Sequence, residues 1–347
     1  MKHNERAVIV VACLLAMIQI VSATGIGGGI GIDIRSEQFV PIVWMCGDRV
    51  FADDPIEPGR APGTRINNYA FEGESISWDI VVFDKNGREK IRDVYVTLGS
   101  TQGTGNDIEV NCGSSSTVDF SKCNARVGEE RLTRYNPEVM KAFRCTLTVE
   151  TPNSMQGEYF VTTEAEDYDG LLGIARENEY WFLNPEIALS ISENALDFGD
   201  NVRPGTQSYS QTVLVGNDAE AGSGVMLDMF ISGADFYDPA SSGAKCPVSN
   251  VLKLSNFAYY TINGAYSTRQ DPRRDAEGYV PIKYGDHFDV SMYNKNEILQ
   301  AVHVGPYWAA NLLAPGAELA ITFRLSLPEP CNGDFSDGNI FFWAEAI

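Results

Sequence analysis

Few residues of this chain have the types and spacing that catalysis requires. It contains three histidines, and His3 lies at the N-terminus while His287 and His303 stand in no H-E-x-x-H pattern. Histidine is the usual acid–base group near neutral pH and the commonest metal ligand. No G-x-S-x-G sequence that would carry a nucleophilic serine is present either. We therefore predict that the protein is not an enzyme.

Acidic side chains are the abundant source of possible chemistry. Hard cations bind several oxygens gathered on one loop, and Gly170 follows such a cluster at the end of a predicted strand. The cluster is not an EF-hand, because Arg176 would occupy the twelfth loop position. The alternative is a solvated acidic rim. The residues of this candidate calcium site are Glu164, Glu166, Asp167 and Asp169.

The cysteines indicate disulfide bonds. Of seven cysteines, Cys13 lies in the N-terminal apolar segment, which leaves six. An even number in an exported chain is typical of disulfides, and no C-x-x-C spacing supports a zinc or redox site. We expect Cys246 to pair with Cys331. The other four allow three pairings, of which proximity in sequence favours Cys112 with Cys123; the remaining two are Cys46 and Cys145.

The N-terminus has the organisation of a secretory signal peptide. Lys2 and Arg6 precede an apolar run over residues 7–21, and small residues follow, which predicts a signal over residues 1–23 with cleavage after Ala23. An uncleaved membrane anchor is the alternative, although the run is short for a span. Residues 24–38 form a glycine-rich leader that lacks G-x-G-x-x-G and a P-loop lysine, so no nucleotide is expected. We expect this leader to be flexible; a second hypothesis is that it pairs with a sheet edge of another copy.

Charge and length limit the function classes. The 347 residues include 26 Lys and Arg against 47 Asp and Glu, a net charge of −21. Such a chain is repelled by nucleic acid, whose binding depends on basic surface, and by anionic lipid. The hydrophobic content of 44% is that of a globular protein, and the length predicts about two domains.

The dominant hydrophobic period is two, which predicts strands throughout. Apolar and aromatic runs such as residues 76–83, 94–98 and 159–165 are separated by turn residues. Asn86–Gly87 predicts a tight hairpin, and Pro137–Ala142 is one short helical candidate. Asn184–Pro185 is the predicted domain boundary. The predicted fold class is all-β, with two tandem β-sandwiches over residues 39–184 and 185–347.

Two segments add a family resemblance. The run Gly157–Val161, followed by Ala165–Gly170, resembles the penultimate strand and last hairpin of immunoglobulin-like modules, with Tyr159 at the position of the tyrosine corner. This resemblance implies an immunoglobulin-like first sandwich. The run Leu196–Gly199, with residues 203–205 and 213–215, resembles the opening of sandwich modules in matrix or filament subunits. It implies a jelly-roll-like or related second sandwich. The whole layout, from the glycine-rich leader through Trp44–Cys46 to Trp343–Ile347, also resembles uncharacterised exported proteins of small-genome archaea, which implies no activity.

These observations predict a secreted, non-catalytic protein of the cell surface or extracellular matrix. Its expected partners are other proteins or copies of itself, and glycans are a further class. The alternative is a secreted carbohydrate-binding or carbohydrate-active protein that uses acidic and aromatic residues. Most aromatic side chains in strands fill a core. Those that could stack on sugars instead are Tyr259, Tyr260, Tyr266, Tyr307, Trp308, Phe341, Phe342 and Trp343.

Overall fold

The computed structural model describes residues 34–46, 50–52, 65, 67–103, 106, 108–123, 132–200, 202–240, 243 and 245–347. The predicted signal peptide and most of the glycine-rich leader lie outside the described residues. Residues 39–347 form one compact unit. The described secondary structure is strands and short 3-10 helices, so the all-β prediction is confirmed. No helix within the described ranges is long and apolar enough to cross a membrane.

The first half of the compact unit contains nine strands. These strands build both sheets of a sandwich. A 3-10 helix lies in each of two connections: Arg88–Lys90 between β4 and β5, and Phe120–Lys122 between β6 and β7. The strands are β1 (Ile42–Met45), β2 (Val50–Ala52), β3 (Tyr69–Ala70), β4 (Ser75–Phe83), β5 (Ile91–Gly99), β6 (Ile108–Ser114), β7 (Met140–Thr148), β8 (Gly157–Asp167) and β9 (Leu172–Leu183).

The strand order confirms the immunoglobulin-like prediction. One sheet runs β1-β4-β7-β6 and the other β5-β8-β9, and β6 also pairs with β5, so that strand links the two sheets. Four strands in one sheet and three in the other, in this order, is the arrangement of constant-type immunoglobulin domains. β2 adds to β4, and β3 adds in parallel to β9.

Alternation along β4 shows why these residues form a sandwich. Ile76, Trp78 and Ile80 point inward and are almost fully buried, and each such side chain contributes about 1.5–3 kcal/mol by leaving water. Trp78 meets Trp181 of β9 edge to face, with ring centroids 6.1 Å apart. On the outer side, the Ser77 hydroxyl lies 2.9 Å from that of Thr146 on β7.

Two local predictions for this half are wrong. Asn86–Gly87 does not close a hairpin, because β4 and β5 belong to different sheets and the chain crosses between them there. Gly87 has φ of 116°, the left-handed backbone that the crossing turn needs. The helical candidate Pro137–Ala142 is a turn followed by β7, which begins at Met140. Hydrophobic burial in the sandwich outweighs the weak helix-start preference of proline.

The second half contains a second set of sheets and four 3-10 helices (Leu254–Asn256, Thr268–Gln270, Val290–Met292 and Ala309–Asn311). One sheet runs β10-β11-β19-β13-β14 with β15 paired to β13, a second runs β18-β12-β20, and β16 pairs with β17. The strands are β10 (Leu189–Ile191), β11 (Gln207–Asn217), β12 (Leu227–Gly233), β13 (Phe257–Asn263), β14 (Tyr266–Ser267), β15 (Val280–Pro281), β16 (His303–Val304), β17 (Tyr307–Trp308), β18 (Leu312–Leu313), β19 (Glu318–Ser326) and β20 (Ile340–Ala346).

A second hydrophobic core lies between these sheets. β12 is buried along its whole length, and Leu227, Met229 and Ile231 join a cluster that includes Ile321 and Phe323 of β19. The alternate positions Asp228, Phe230 and Ser232 face away from this cluster and are buried as well. The sandwich architecture predicted for residues 185–347 is therefore present.

The two cores are linked by a short segment before β4. Tyr69 and Phe182 belong to the first half by pairing but are buried in the second core. The Tyr69 hydroxyl donates a hydrogen bond to the carbonyl of Ile347, and the Asn67 amide donates to the carbonyl of Gly224 over 2.7 Å. The domain boundary at Asn184–Pro185 stays a prediction.

All six cysteines of the described region form disulfides. The predicted pair Cys246–Cys331 is confirmed. The preference for Cys112 with Cys123 is wrong: the bonds are Cys112–Cys145 and Cys46–Cys123. Register explains the error, because neighbouring strands β6 and β7 place Cys112 directly opposite Cys145.

Candidate binding face on the second sandwich

The first two residues of the predicted calcium site are held by protein partners. Glu164 is buried on β8 and accepts hydrogen bonds from the Thr97 hydroxyl at 3.1 Å and the Tyr95 hydroxyl at 3.3 Å. Glu166 lies further along the strand in an ion pair with Arg92. Both carboxylates therefore bind side chains of the neighbouring strand β5.

The other two calcium candidates form the β8–β9 turn. The buried Asp167 carboxylate accepts hydrogen bonds from the backbone N–H groups of Asp169 and Leu171, at 2.9 and 2.7 Å. Asp169 pairs with the Lys90 ammonium over 3.0 Å. Within the described ranges, no group of three acidic, histidine or cysteine side chains is arranged to hold a metal ion. Calcium binding at these residues stays a prediction that this arrangement does not support.

The two histidines lie on the surface, apart from each other. His287 is exposed between Asp286 and Asp289, at 2.7 and 3.3 Å, and the hydrogen bond to Asp286 raises its pKa. His303 on β16 meets the Trp308 ring edge to face, with centroids 4.6 Å apart. Neither histidine belongs to a group of three side chains that could hold a metal ion within the described region.

Two carboxylates, one buried and one half-buried, face each other across β12 and β20. Asp228 and Glu345 stand directly opposite each other in the antiparallel register, and Asp228 is almost fully buried. Burial raises the pKa of Asp228 to about 7, although the hydrogen bond from the Asn311 amide opposes this. The Tyr293 hydroxyl donates to Glu345. Each carboxylate thus has an internal partner, and neither lines the two clefts described below.

A tyrosine-rich face lies on the outer side of the β11–β19–β13 sheet. Register places Tyr209 opposite Arg324, and places Thr322 opposite Tyr260. Tyr279, just before β15, packs its ring against those of Tyr209 and Tyr260, with centroids 5.9 and 5.8 Å away. We call Tyr209, Tyr260, Tyr279 and Arg324 the tyrosine–arginine face.

Arg324 fixes the geometry of this face. Its guanidinium lies 4.5 Å from the centroid of the Tyr279 ring, which is cation–π distance. It donates to Asp275 at 2.5 Å and to Glu277 at 2.7 Å, while its buried Nε has no acceptor among the described residues. Burial alone would raise the pKa of Asp275, but hydrogen bonds from the Tyr279 backbone and from Arg324 lower it below its ordinary value. Asp275 therefore stays ionised at neutral pH.

An open cleft of about 210 Å³ adjoins the face. Arg273 is one of its lining residues; it forms an ion pair with the buried Asp271 and donates to two backbone carbonyls, so its charge is already matched. The other polar groups of the lining are hydroxyl, amide, carboxylate and guanidinium groups. They belong to Ser255, Asn256, Arg274, Asp275, Arg324 and Ser326.

The first sandwich has a cleft of about 390 Å³. Its floor contains Phe120 stacked on Tyr135, with centroids 4.1 Å apart, and its rim contains Arg88 and Lys141 beside serines 114–116. The Tyr135 hydroxyl is used internally, because it donates to a backbone carbonyl. Both rings are half-buried and pack against a core cluster of the first sandwich, whereas Tyr209 is 49% exposed.

Sequence reasoning identified only part of this face. Of the aromatic residues considered as sugar platforms, Tyr260 lies on it, whereas Tyr259 is buried and Phe342 packs against the second core. Tyr209 and Tyr279 were missed because nothing in the sequence gives the pairing of β11, β19 and β13. The one available indication was Arg324, the single basic residue of strand β19.

Comparison with known proteins gives only remote likenesses. No protein-family model and no curated protein matches the sequence. A DUF4466 family protein from Parabacteroides merdae is 10% identical with a TM-score of 0.23, over 82% of this chain and 98% of that one. The C-terminal domain of the AgI/II polypeptide BspA of Streptococcus agalactiae is 9% identical with a TM-score of 0.28, over 88% and 97%. A cycloalternan-degrading enzyme from Trueperella pyogenes is 8% identical with a TM-score of 0.20, over 80% and 34%.

These similarities support no inference about function, because the TM-scores are low. The three neighbours are bacterial, and the expected resemblance to exported archaeal proteins stays a prediction. The chain is therefore classified from its own architecture: it is an all-β protein with an immunoglobulin-like sandwich followed by a second sandwich.

Proposed function

We propose that the protein is exported and acts without catalysis at the cell surface or in the extracellular matrix, where it binds another molecule through the tyrosine–arginine face. The face combines tyrosine and arginine, two residue types that carry most of the energy in recognition sites. The rest of the proposal follows from how these side chains are held.

The observation that carries the proposal is the fixed position of Tyr279. Its ring is flanked by two tyrosines and covered by the Arg324 guanidinium, whose own position is set by Asp275 and Glu277. Side chains already fixed in the free protein lose little entropy when a ligand binds. Tyr209 remains 49% exposed beside them, which leaves ring surface for a ligand.

Three disulfides support export. Disulfides persist in oxidising compartments outside the cytosol, and all three here join segments distant in sequence, from 33 to 85 residues apart. An extracellular location is also compatible with the acidic surface, since a net charge of −21 limits association with other polyanions.

The absence of catalysis is part of the proposal. Three of the buried or half-buried carboxylates, Glu164, Asp228 and Glu345, each accept a hydrogen bond from a tyrosine hydroxyl or an amide. Glycoside hydrolysis requires two carboxyl groups that reach a bound sugar. Hydrolysis of soluble polysaccharides that is lost on Asp228→Asn or Glu345→Gln substitution would overturn this part of the proposal.

Export is tested by labelling intact source cells with an amine-reactive reagent that does not cross membranes. We expect the protein to be labelled to the same extent before and after lysis of the cells. We expect to find it either in the culture medium or in the envelope fraction. A cytosolic marker protein serves as the control. Labelling that appears only after lysis would contradict the proposed location.

A further inference from the structure

We infer that the free edge of strand β20 pairs with β20 of a second copy of the chain. The two strands run antiparallel about a two-fold axis at Trp343. β20 belongs to the β18-β12-β20 sheet, whereas the tyrosine–arginine face lies on the β11–β19–β13 sheet. The inference therefore concerns a second interaction surface and goes beyond the proposed function.

β20 has an unpaired edge. It is the outer strand of its sheet, and no strand within the described ranges pairs with its second side. The Ile347 N–H donates to the Met226 carbonyl, and the Ala234 N–H donates to the Asn339 carbonyl. In an antiparallel ladder these bonds fix the alternation, so the odd-numbered positions of β20 face β12. The backbone groups that point away from β12, without a hydrogen-bond partner in the described part of the chain, belong to Ile340, Phe342, Ala344 and Ala346.

This edge lacks the features that keep strand edges from pairing. Native proteins protect edges with short strands, prolines, lysines or bulges. The outer strands β10 and β14 of the larger sheet have three and two residues, whereas β20 has seven and contains no proline, glycine or lysine. Its one charged residue is Glu345, and all seven side chains are partly exposed. A long apolar edge of this kind is a surface for strand addition.

β20 is already held in an extended conformation. Its register with β12 is continuous from Ile340 to Ala346. The indole N–H of Trp343 donates to the Ser232 hydroxyl over 2.9 Å, and the Tyr69 hydroxyl donates to the carbonyl of Ile347 just beyond the strand. A strand that is fixed before association loses little entropy when a second strand pairs with it.

The sequence of β20 is complementary to itself in one register. With the axis at Trp343, Phe342 stands opposite Ala344 of the second copy, and Ile340 stands opposite Ala346 of the second copy. All four outward positions then form hydrogen-bonded pairs. Moving the axis to Phe342 or to Ala344 leaves one position unpaired in each copy. These four side chains share the side of the sheet that packs on the second core, so every pair joins a large side chain to a small one.

Charge is compatible with the same register. Like charges directly opposite each other on paired strands are destabilising. With the axis at Trp343, Glu345 stands opposite Phe341 of the second copy and not opposite the other Glu345. Its carboxylate also accepts a hydrogen bond from the Tyr293 hydroxyl of its own chain. These matches of size and charge arise from β20 itself and identify a second copy as the partner.

The first test is sedimentation equilibrium of the purified exported protein from micromolar to near-millimolar concentration. We expect the wild type to approach twice the monomer mass as its concentration rises. Ala344→Pro removes an outward N–H and no bond to β12. It should weaken association at least about tenfold, because each dimer loses two hydrogen bonds. Ile191→Pro is the matched control: the Ile191 N–H points away from β11 on the outer strand β10, so this variant should associate like the wild type.

Cysteine crosslinking tests the register. A non-hydrogen-bonded antiparallel pair places its Cα atoms about 4.5 Å apart, within the about 4.4–6.8 Å that a disulfide spans. Trp343→Cys should therefore give a covalent dimer under mild oxidation. Phe341→Cys should not, because the two copies of that position are separated by four residues along the ladder.

Four outcomes would overturn the inference. A wild type that stays monomeric over the whole concentration range would exclude a second copy as the partner of this edge. Equal association of the wild type and Ale344→Pro would place the contact elsewhere on the molecule. Irregular aggregates in place of a dimer would contradict a defined register, and so would crosslinking of Phe341→Cys as fast as that of Trp343→Cys.

Discussion

Replacing Asp228 with asparagine should change how the stability of the protein depends on pH. Asp228 is almost fully buried on β12, opposite Glu345, and Glu297 is also nearby. Like charges directly opposite each other on paired strands are destabilising. Burial, with a further contribution from these two carboxylates, raises the pKa of Asp228 to about 7.

The sign and size of the effect follow from this pKa. The ordinary value of 3.8 applies in the unfolded chain. Between about pH 4 and pH 7 the folded protein therefore binds more protons than the unfolded chain, and the free energy of unfolding falls as pH rises. The interval from 3.8 to about 7 corresponds to about 4 kcal/mol, at about 1.4 kcal/mol for each pKa unit. Asparagine carries no charge and can still accept the hydrogen bond from Asn311.

Urea denaturation at a series of pH values between 4 and 8 measures this difference. We expect the wild type to lose about 4 kcal/mol more stability over that range than Asp228→Asn does. Asp334→Asn, which removes an exposed carboxylate, should run parallel to the wild type. Parallel curves for the wild type and Asp228→Asn would refute the assignment of a protonated Asp228 in the folded state.

Three further predictions concern what holds the sandwiches together. Tyr69→Phe should lower the free energy of unfolding by about 1–2 kcal/mol, because the carbonyl of Ile347 loses its buried donor; unchanged denaturant midpoints would contradict this. Glu179→Leu should lower the free energy of unfolding by roughly 2–5 kcal/mol, because Glu179 accepts hydrogen bonds from the indole N–H groups of Trp78 and Trp181 in the first core. Glu179→Gln keeps an acceptor and should lower it by about 1 kcal/mol or less. Equal effects of the two substitutions would argue against these hydrogen bonds. Replacing Cys246 and Cys331 together with serine should cost about 4–5 kcal/mol, as expected for a crosslink spanning 85 residues, and a loss below about 1 kcal/mol would show that this crosslink constrains little.

The periodicity of the sequence was enough to predict the fold class. In β4, apolar residues at alternate positions, such as Ile76 and Trp78, are those that the structure buries. Alternation reports which side of a strand faces a core, and this depends on local sequence alone. The immunoglobulin-like order of the first sandwich could be inferred only through resemblance around Tyr159, because periodicity says nothing about which strands are neighbours.

Pairing between strands explains the predictions that failed. Cys112 and Cys123 are close in sequence, but Cys112 bonds to Cys145 because β6 and β7 are neighbours in register. The Asn86–Gly87 turn has the local chemistry of a hairpin, yet it passes between sheets. Both outcomes depend on contacts between distant segments, which a local pattern does not contain.

The candidate site could not be predicted from the sequence for the same reason, because it depends on which strands pair. Tyr209 and Arg324 are 115 positions apart and meet because β11 pairs with β19. Tyr279 reaches them from the segment before β15. The acidic run at Glu164–Asp169, which looked like a site in sequence, is divided between a strand and a turn, where its carboxylates have partners such as Lys90.

The proposed function is tested most directly by binding of the purified, fluorescently labelled protein to envelopes of the source cells. Wild type, Tyr209→Ala and a matched control are compared over a range of protein concentrations. The control is Tyr180→Ala, because Tyr180 is 46% exposed on β9 of the first sandwich, close to the 49% of Tyr209. The tyrosine–arginine face predicts saturable binding by the wild type and the control, with about tenfold weaker binding by Tyr209→Ala, equivalent to about 1.4 kcal/mol. Equal binding by all three proteins would contradict a binding role for this face.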